Sequence, residues 1–236
     1  MTPPLKATAH PGRDLRQREI VPPQKLATVH ALVIGVGAIG RQVALQLAAV
    51  GVGRMELFDH DAVEVHNLAP QAYSVEDVGA VKVEATARAC RLLNPGMTLG
   101  VHPERFRRSS AKLLAQPINP GESDGLAVFC CVDSIETRKL VWEAVRPRAG
   151  FWADGRMSAE VIRVLASARP AADSHYASTL FTRERAYGGS CTAKSTVYTA
   201  SIAAGLMLGQ FTRWLRGMPV DRDLSLNLLS SELGCG

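Results

Sequence analysis

The sequence predicts an α/β fold, doubly wound, with a mostly parallel sheet and helices on both faces. Three observations predict it. Apolar strand-like segments alternate with helical ones at the spacing of βαβ units. A glycine-rich turn, "GVGAIG", sits directly between the first strand and the first helix. One later segment, "GLAVFCCVD", is apolar throughout, as a strand covered on both faces should be. Together they describe a Rossmann-like sheet.

The elements follow in order. Residues 1–24 carry five prolines and many charges, and read as an extended arm with one helical turn around "RDLRQRE". Residues 30–34 form the first strand, the glycine turn follows, and an apolar helix runs over about 41–50. "RMELFD" is the second strand, and residues 60–80 read as irregular and polar. "VKVEATARACRLL" has helical spacing and stops at Asn94-Pro95, because the residue before proline is barred from helical geometry. "TLGVH" is a short strand, "SSAKLLAQ" a capped helix, and 125–133 the fully covered strand. A helix "SIETRKLVWEAV" comes next, then strands near 150–154 and 160–167. A connection of about twenty residues leads to the helix 195–216, apolar on nearly every face, which predicts burial or a subunit interface. This gives an arm (1–24), one domain (25–217) and a tail (218–236) packing on the domain or a partner. The tail carries an apolar strand- or helix-like segment with no functional signal.

Composition narrows the class. With 236 residues, 47% hydrophobic and 21% charged, the chain can bury a sizeable core in one domain. The net charge is +5, but no run of like charge marks a DNA-binding arm or a membrane patch. No apolar stretch is long and unbroken enough to span a bilayer. Five cysteines, none in a C-x-x-C pair, argue against a four-thiolate zinc site. An odd count without a secretory signal predicts reduced thiols in a cytoplasmic protein.

Gly35, Gly37 and Gly40 form G-x-G-x-x-G. The first glycine permits the tight turn, the second lets the backbone approach phosphate, and the third lets helix and strand close together. The N-terminus of the helix that follows offers unpaired N–H groups to an anion, and Ala38 in the turn joins the cofactor-binding residues. Asp59 ends the next strand, nineteen residues after Gly40, where an acid reaches a ribose. Asp61, Asn67 and Lys82 follow, and Asp133 ends the covered strand. A dinucleotide leaves these without a task, whereas MgATP needs carboxylate for the metal and cations for the phosphates. Asp133 also has a purely structural reading, as a helix N-cap.

The order of these motifs resembles the adenylating domain of the ThiF/MoeB/HesA family, relatives of the ubiquitin-activating enzymes. The resemblance spans residues 13–217. It is carried by Arg16-Gln17, "GVGAIG", "GVGRMELFDHDAVEVHNL", "VGAVKVEA", "LNP", "CVDSIETR" and "GRMSAEV", with a cysteine before the long helix. It implies an enzyme that uses MgATP to adenylate the C-terminal glycine carboxylate of a small ubiquitin-like, β-grasp protein, and releases pyrophosphate. It further implies that Gly37 and Gly40 line the phosphate turn, Asp59 holds ribose, Asn67 and Lys82 contact phosphates, and Asp133 is the magnesium-associated aspartate. Arg16 matches an arginine reaching across a two-fold homodimer, Arg156 supports the crevice, and Cys191 matches cysteines that in some members accept the activated carboxylate.

Three departures accompany the match. "NLAPQ" puts Pro70 where the family carries an ATP-facing arginine, with Arg41, Arg54 and Arg156 as possible substitutes. The zinc-binding cysteine pairs of many relatives are absent, so no zinc is expected. No separate cysteine domain or fused ubiquitin-like domain is expected either. Pro70 leaves open a degenerate partner subunit of a heterodimer. A dehydratase acting on tRNA threonylcarbamoyladenosine is a second alternative, and an NAD oxidoreductase the most remote.

Overall fold

The computed structural model describes residues 12–115, 125–180 and 195–236. An eight-stranded sheet runs in the order β3-β2-β1-β4-β5-β6-β7-β8. Its strands are β1 (His30–Ile34), β2 (Arg54–Phe58), β3 (Thr98–His102), β4 (Leu126–Cys130), β5 (Phe151–Ser158), β6 (Val161–Ser167), β7 (Asp223–Asn227) and β8 (Glu232–Cys235). The first five are mutually parallel; β6, β7 and β8 add antiparallel. Register places Ile34 beside both Phe58 and Cys130, so the chain leaves β1, β2 and β4 at one common edge.

Two short helices are α1 (Pro23–Leu26) and α6 (His175–Ser178), and longer ones cover both faces of the sheet. On one lie α2 (Ala38–Val50), α4 (Lys82–Leu93) and α7 (Val197–Leu215), packed on Ala31, Val33, Phe129 and Phe151. On the other α5 (Ile135–Val145) packs Val141, Trp142 and Val145 on Leu32, Val128 and Trp152. Alternate residues of the central strands feed the two cores, so β1 and β4 are buried along their whole length. Trp142 meets Trp152 edge-on at 5.1 Å and lies 4.5 Å from the ring of Tyr176. Each such fully buried large side chain contributes about 1.5–3 kcal/mol.

Several expectations are corrected. The helix α2 begins at Ala38, inside the glycine motif, with Gly37 as its N-cap. Residues 60–80 are not merely irregular. They hold two 3₁₀ turns, Val65–Asn67 and Val75–Asp77, around a short helix α3 (Leu68–Gln71). Both turns are closed by capping boxes, Glu64 with Asn67 and Ser74 with Asp77. The helix expected at "SSAKLLAQ" is a 3₁₀ segment, Arg108–Ala115. The helix α7 is not uniformly covered. Ala200, Ala203, Met207 and Phe211 are buried, while Tyr198 and Ile202 are exposed beside Gly205 and Gly209. The tail extends the sheet as β7 and β8, tied to α7 by the Arg213–Asp221 ion pair and the Gln210–Asp221 hydrogen bonds.

At the β2–β3 side one carboxylate organises the sheet face. Glu56 lies 3.4 Å from His30 Nε2 and 2.9 Å from His102 Nε2, with Arg54 at 3.5 Å. A Cβ on Gly100 would collide with the Glu56 carboxylate, so glycine there makes its room. Burial pushes the Glu56 carboxyl up, but hydrogen bonds and charge from both histidines outweigh it and hold it down to about 2.

Candidate nucleotide site

The site lies at the carboxyl edge of β2, β1 and β4, where parallel strands open onto a crevice. Gly35 leaves β1 at φ +84, a left-handed geometry that favours glycine, and its N–H donates to Phe58 O at 2.8 Å. A Cβ there would lie 2.8 Å from Cys131 O. One on Gly40 would lie 1.7 Å from Gly35 O, so helix and turn touch as backbone on backbone. Gly37 differs: its φ is −71, and a Cβ would meet nothing within 4 Å. Packing therefore requires Gly35 and Gly40, while Gly37 only keeps the backbone bare toward the crevice. No side chain caps α2, so its first N–H groups, from Ala38 onward, stay open to an anion.

Asp59 is fixed by this turn. Its Oδ2 accepts from Val36 N at 2.8 Å and its Oδ1 from Asp61 N at 3.0 Å. A carboxylate offers about four lone-pair sites, so two remain for the hydroxyls of a ribose. Asp61 holds Lys82. The Lys82 N–H donates to Asp61 O at 2.9 Å, and its ammonium to Asp61 Oδ2 at 3.1 Å. The lysine is buried to its tip while Asp61 is half exposed, so the cation is aimed to the rim by its partner. Two of its three N–H donors are not used by Asp61. Asn67 is buried, and its Oδ1 accepts from Glu64 N at 2.9 Å, which leaves its amide N–H₂ unspent by that bond.

Asp133 lies three residues past β4, on the segment that enters α5. It is not the helix cap: Ser134 Oγ accepts from Thr137 N at 3.2 Å. Asp133 is exposed and has no side-chain hydrogen bond or ion pair among the described residues. An exposed, unpaired carboxylate suits a hard cation such as magnesium.

Arg16 is placed elsewhere. Its arm docks on the far end of α2, where Arg13 donates to Ala48 O and Ala49 O and Gln17 to Val50 O, at 2.6, 3.0 and 2.7 Å. These bonds satisfy carbonyls at the negative end of the helix. At 1.5 Å rise per residue, that end is roughly 20 Å from the glycine turn. The exposed Arg16 is therefore not assembled with its own chain's site.

The three substitutes for the arginine missing at Pro70 are all committed. Arg41 is buried, stacked 4.1 Å over Tyr73, and donates to Ala72 O and Thr86. Arg54 stands at the start of β2, the opposite edge of the sheet, beside Glu56. Arg156 donates to Asp154 Oδ2 at 2.8 Å and to both oxygens of Thr179 at 3.1 Å. Cys191 lies outside the described residues. Burial pushes the thiols of Cys130 and Cys131 up, away from thiolate chemistry.

Sequence reasoning missed the network around Asp154. This fully buried carboxylate pairs with Arg138 and Arg156 and accepts from Tyr176 Oη at 3.0 Å. Arg138 also donates to Gly155 O, clamping the first turn of α5 to β5. A signal was present: Arg138 shares the helical stripe of Val141, Trp142 and Val145, and a charge there needs a buried partner.

The fold is a Rossmann-like α/β domain with a glycine turn between β1 and α2, and comparison with known proteins is more specific. The model of the ThiF family matches residues 14–232, and the chain belongs to that family. It is 35% identical over 153 residues to the adenylyltransferase and sulfurtransferase MOCS3 of Mus musculus, covering 60% of this chain and 32% of that protein. It is 30% identical over 142 residues to ubiquitin-like modifier-activating enzyme 5 of Drosophila ananassae, covering 55% of this chain and 34% of that protein. Escherichia coli MccB, crystallised with ATP, shares the fold at a TM-score of 0.68 and 16% identity, covering 90% of this chain and 64% of that one. The chain spans about a third of the length of these curated relatives. Among the described residues, no helix is long and apolar enough to cross a membrane.

Proposed function

We propose that this chain uses MgATP to adenylate the C-terminal glycine carboxylate of a small ubiquitin-like or sulfur-carrier protein of β-grasp fold. The observation that carries the reading is Asp133. It is exposed at the crevice edge, the capping of α5 belongs to Ser134, and a metal-bound triphosphate would use it. The names of the relatives, an adenylyltransferase and a modifier-activating enzyme, support the same chemistry.

In this reading the open N–H groups at Gly37 and Ala38 receive phosphate, Asp59 orients the ribose, and Asn67 and Lys82 hold phosphate oxygens. Asp133 would hold magnesium, which when bound neutralises phosphate charge. The carrier's carboxylate attacks the α-phosphorus; a carbon-bound oxygen gains a bond to phosphorus, the α–β bridging bond breaks, and pyrophosphate leaves. The nucleophile is ionised at neutral pH, so no general base is needed. Fixed cations offset the repulsion between two anions. Arg16, far from its own turn, serves the site of a second copy in a two-fold dimer, and Arg156 supports the crevice through Asp154. Cys191 is the candidate acceptor for subsequent transfer. Zinc has no part in the reading, and the cytoplasm is its compartment.

ATP–pyrophosphate exchange with and without glycine-ended carrier proteins tests this. Carrier-dependent exchange is expected. Pro70, with Arg41, Arg54 and Arg156 all engaged, favours a second reading: a supporting subunit of a heterodimer. Tight ATP binding without exchange for any carrier, and exchange only after a homologous subunit is added, would establish that reading instead.

A further inference from the structure

The glycine turn leaves β1, Asp59 leaves β2, and the loop that begins at Pro103 leaves β3, and these three strands are consecutive neighbours in the sheet. Neighbouring strands are about 4.8 Å apart. Phosphate, ribose and base follow one another along a nucleotide. A phosphate at the turn and a ribose on Asp59 therefore direct the base toward the end of β3. The residue standing there is Arg105. Its Nε donates to His60 Nε2 at 3.0 Å. His60 in turn lies between the carboxylates of the ribose strand, with Nε2 3.2 Å from Asp61 Oδ1 and Nδ1 3.9 Å from Asp59 Oδ1.

We propose that Arg105 contacts the nucleobase of the bound nucleotide, its planar guanidinium lying against the purine. The inference rests on the adenylation reading and adds a residue outside the motifs that suggested it. The guanidinium is exposed, and four of its five N–H donors have no partner among the described residues. A flat, weakly hydrated cation stacks on an aromatic face and donates to ring nitrogens, which an ammonium does poorly. The phosphates are not its target, being two strand spacings away, about 10 Å. The hydrogen bond to His60 ties the side chain to the ribose strand.

The test compares wild type with Arg105→Ala and Arg105→Lys, titrating the full chain with ATP, adenosine and inorganic tripolyphosphate. Loss of one stacked contact weakens ATP and adenosine binding by about ten-fold in Arg105→Ala. Tripolyphosphate affinity is expected to stay unchanged. Arg105→Lys, which keeps the charge without the plane, restores little. In pyrophosphate exchange the ATP KM rises and kcat does not. Unchanged ATP affinity, or tripolyphosphate weakened as much as ATP, would overturn the assignment while leaving the adenylation reading in place. A wild-type protein that binds neither ATP nor adenosine would instead refute the adenylation reading, and this contact with it.

Discussion

Replacing Gly40 and Gly37 separately by alanine should split structure from ligand binding within one motif. A Cβ on Gly40 would stand 1.7 Å from Gly35 O, 2.8 Å from Gly35 C and 3.0 Å from Cys131 Cβ. Contacts between carbon and carbonyl oxygen settle at about 3.3–3.6 Å, so the start of α2 must retreat by roughly 1.6 Å. Forced overpacking costs about 1–3 kcal/mol, offset by about 1 kcal/mol of helix propensity gained over glycine. Two of its three nearest neighbours are backbone, which puts the overpacking at the upper end and leaves a net loss of about 2 kcal/mol. In a chain of this size that lowers Tm by about 4–8 °C. Gly37→Ala has open space and an ordinary φ, so its stability should match wild type within about 0.5 kcal/mol. Its methyl group, however, stands where backbone must approach phosphate, and ATP affinity should fall at least ten-fold. Thermal melts and ATP calorimetry on both variants read the two effects. Wild-type ATP affinity in Gly37→Ala would refute the cradle, and wild-type Tm in Gly40→Ala would refute the packing argument.

Other expectations follow from the same geometry. Asp133→Ala should abolish pyrophosphate exchange with Tm unchanged, because Ser134 and not Asp133 caps α5; retained exchange would remove Asp133 from the site. Pro70→Arg should tighten ATP binding measured by calorimetry, since no neighbouring arginine among Arg41, Arg54 and Arg156 is free to act; weaker binding would show that α3 is built around proline. Glu56→Gln should cost about 2 kcal/mol at pH 7 in denaturant unfolding, the worth of hydrogen bonds to a charged group. The folded carboxyl titrates near 2 against 4.5 in the unfolded chain, so its stabilisation is complete above about pH 4.5 and is lost as pH falls toward 2. The gap between wild type and variant should therefore close in acid, and a constant gap would contradict the assignment.

The parallel part of the sheet was legible because βαβ units announce themselves by apolar runs and by a glycine turn with one geometry. The loop 60–80 was not, although the capping pairs Glu64–Asn67 and Ser74–Asp77 are written at the right spacing. Such pairs give no strong sequence signal because no long apolar helix follows them. The segment at 108–115 has helical amphipathicity, yet Ser110 Oγ accepts from Arg107 N, a local bond that competes with α-helical pairing. The site residues chosen from sequence do gather at one edge where backbone geometry dictates it: Gly35, Gly37, Gly40, Asp59, Asp61 and Lys82. Arg16 does not join them, since its position depends on where an arm docks, and no local periodicity encodes that. Asp154 and Tyr176 stayed hidden because a buried ion pair forms between strands and helices far apart in sequence, and only Arg138 leaves a trace in a helical stripe.

The contact between Gly35 and Cys131 O sets an order for the ribosome's work. The turn is encoded early, but β1 finds its second neighbour only when Leu126–Cys130 arrives, with His30 pairing to Leu126. Closing that long excursion is entropically expensive and slow. A nascent chain that ends before Cys131 carries the complete glycine motif yet lacks the wall that shapes it. Any ligand that the turn holds can thus stabilise the emerging protein only after Cys131 has been made.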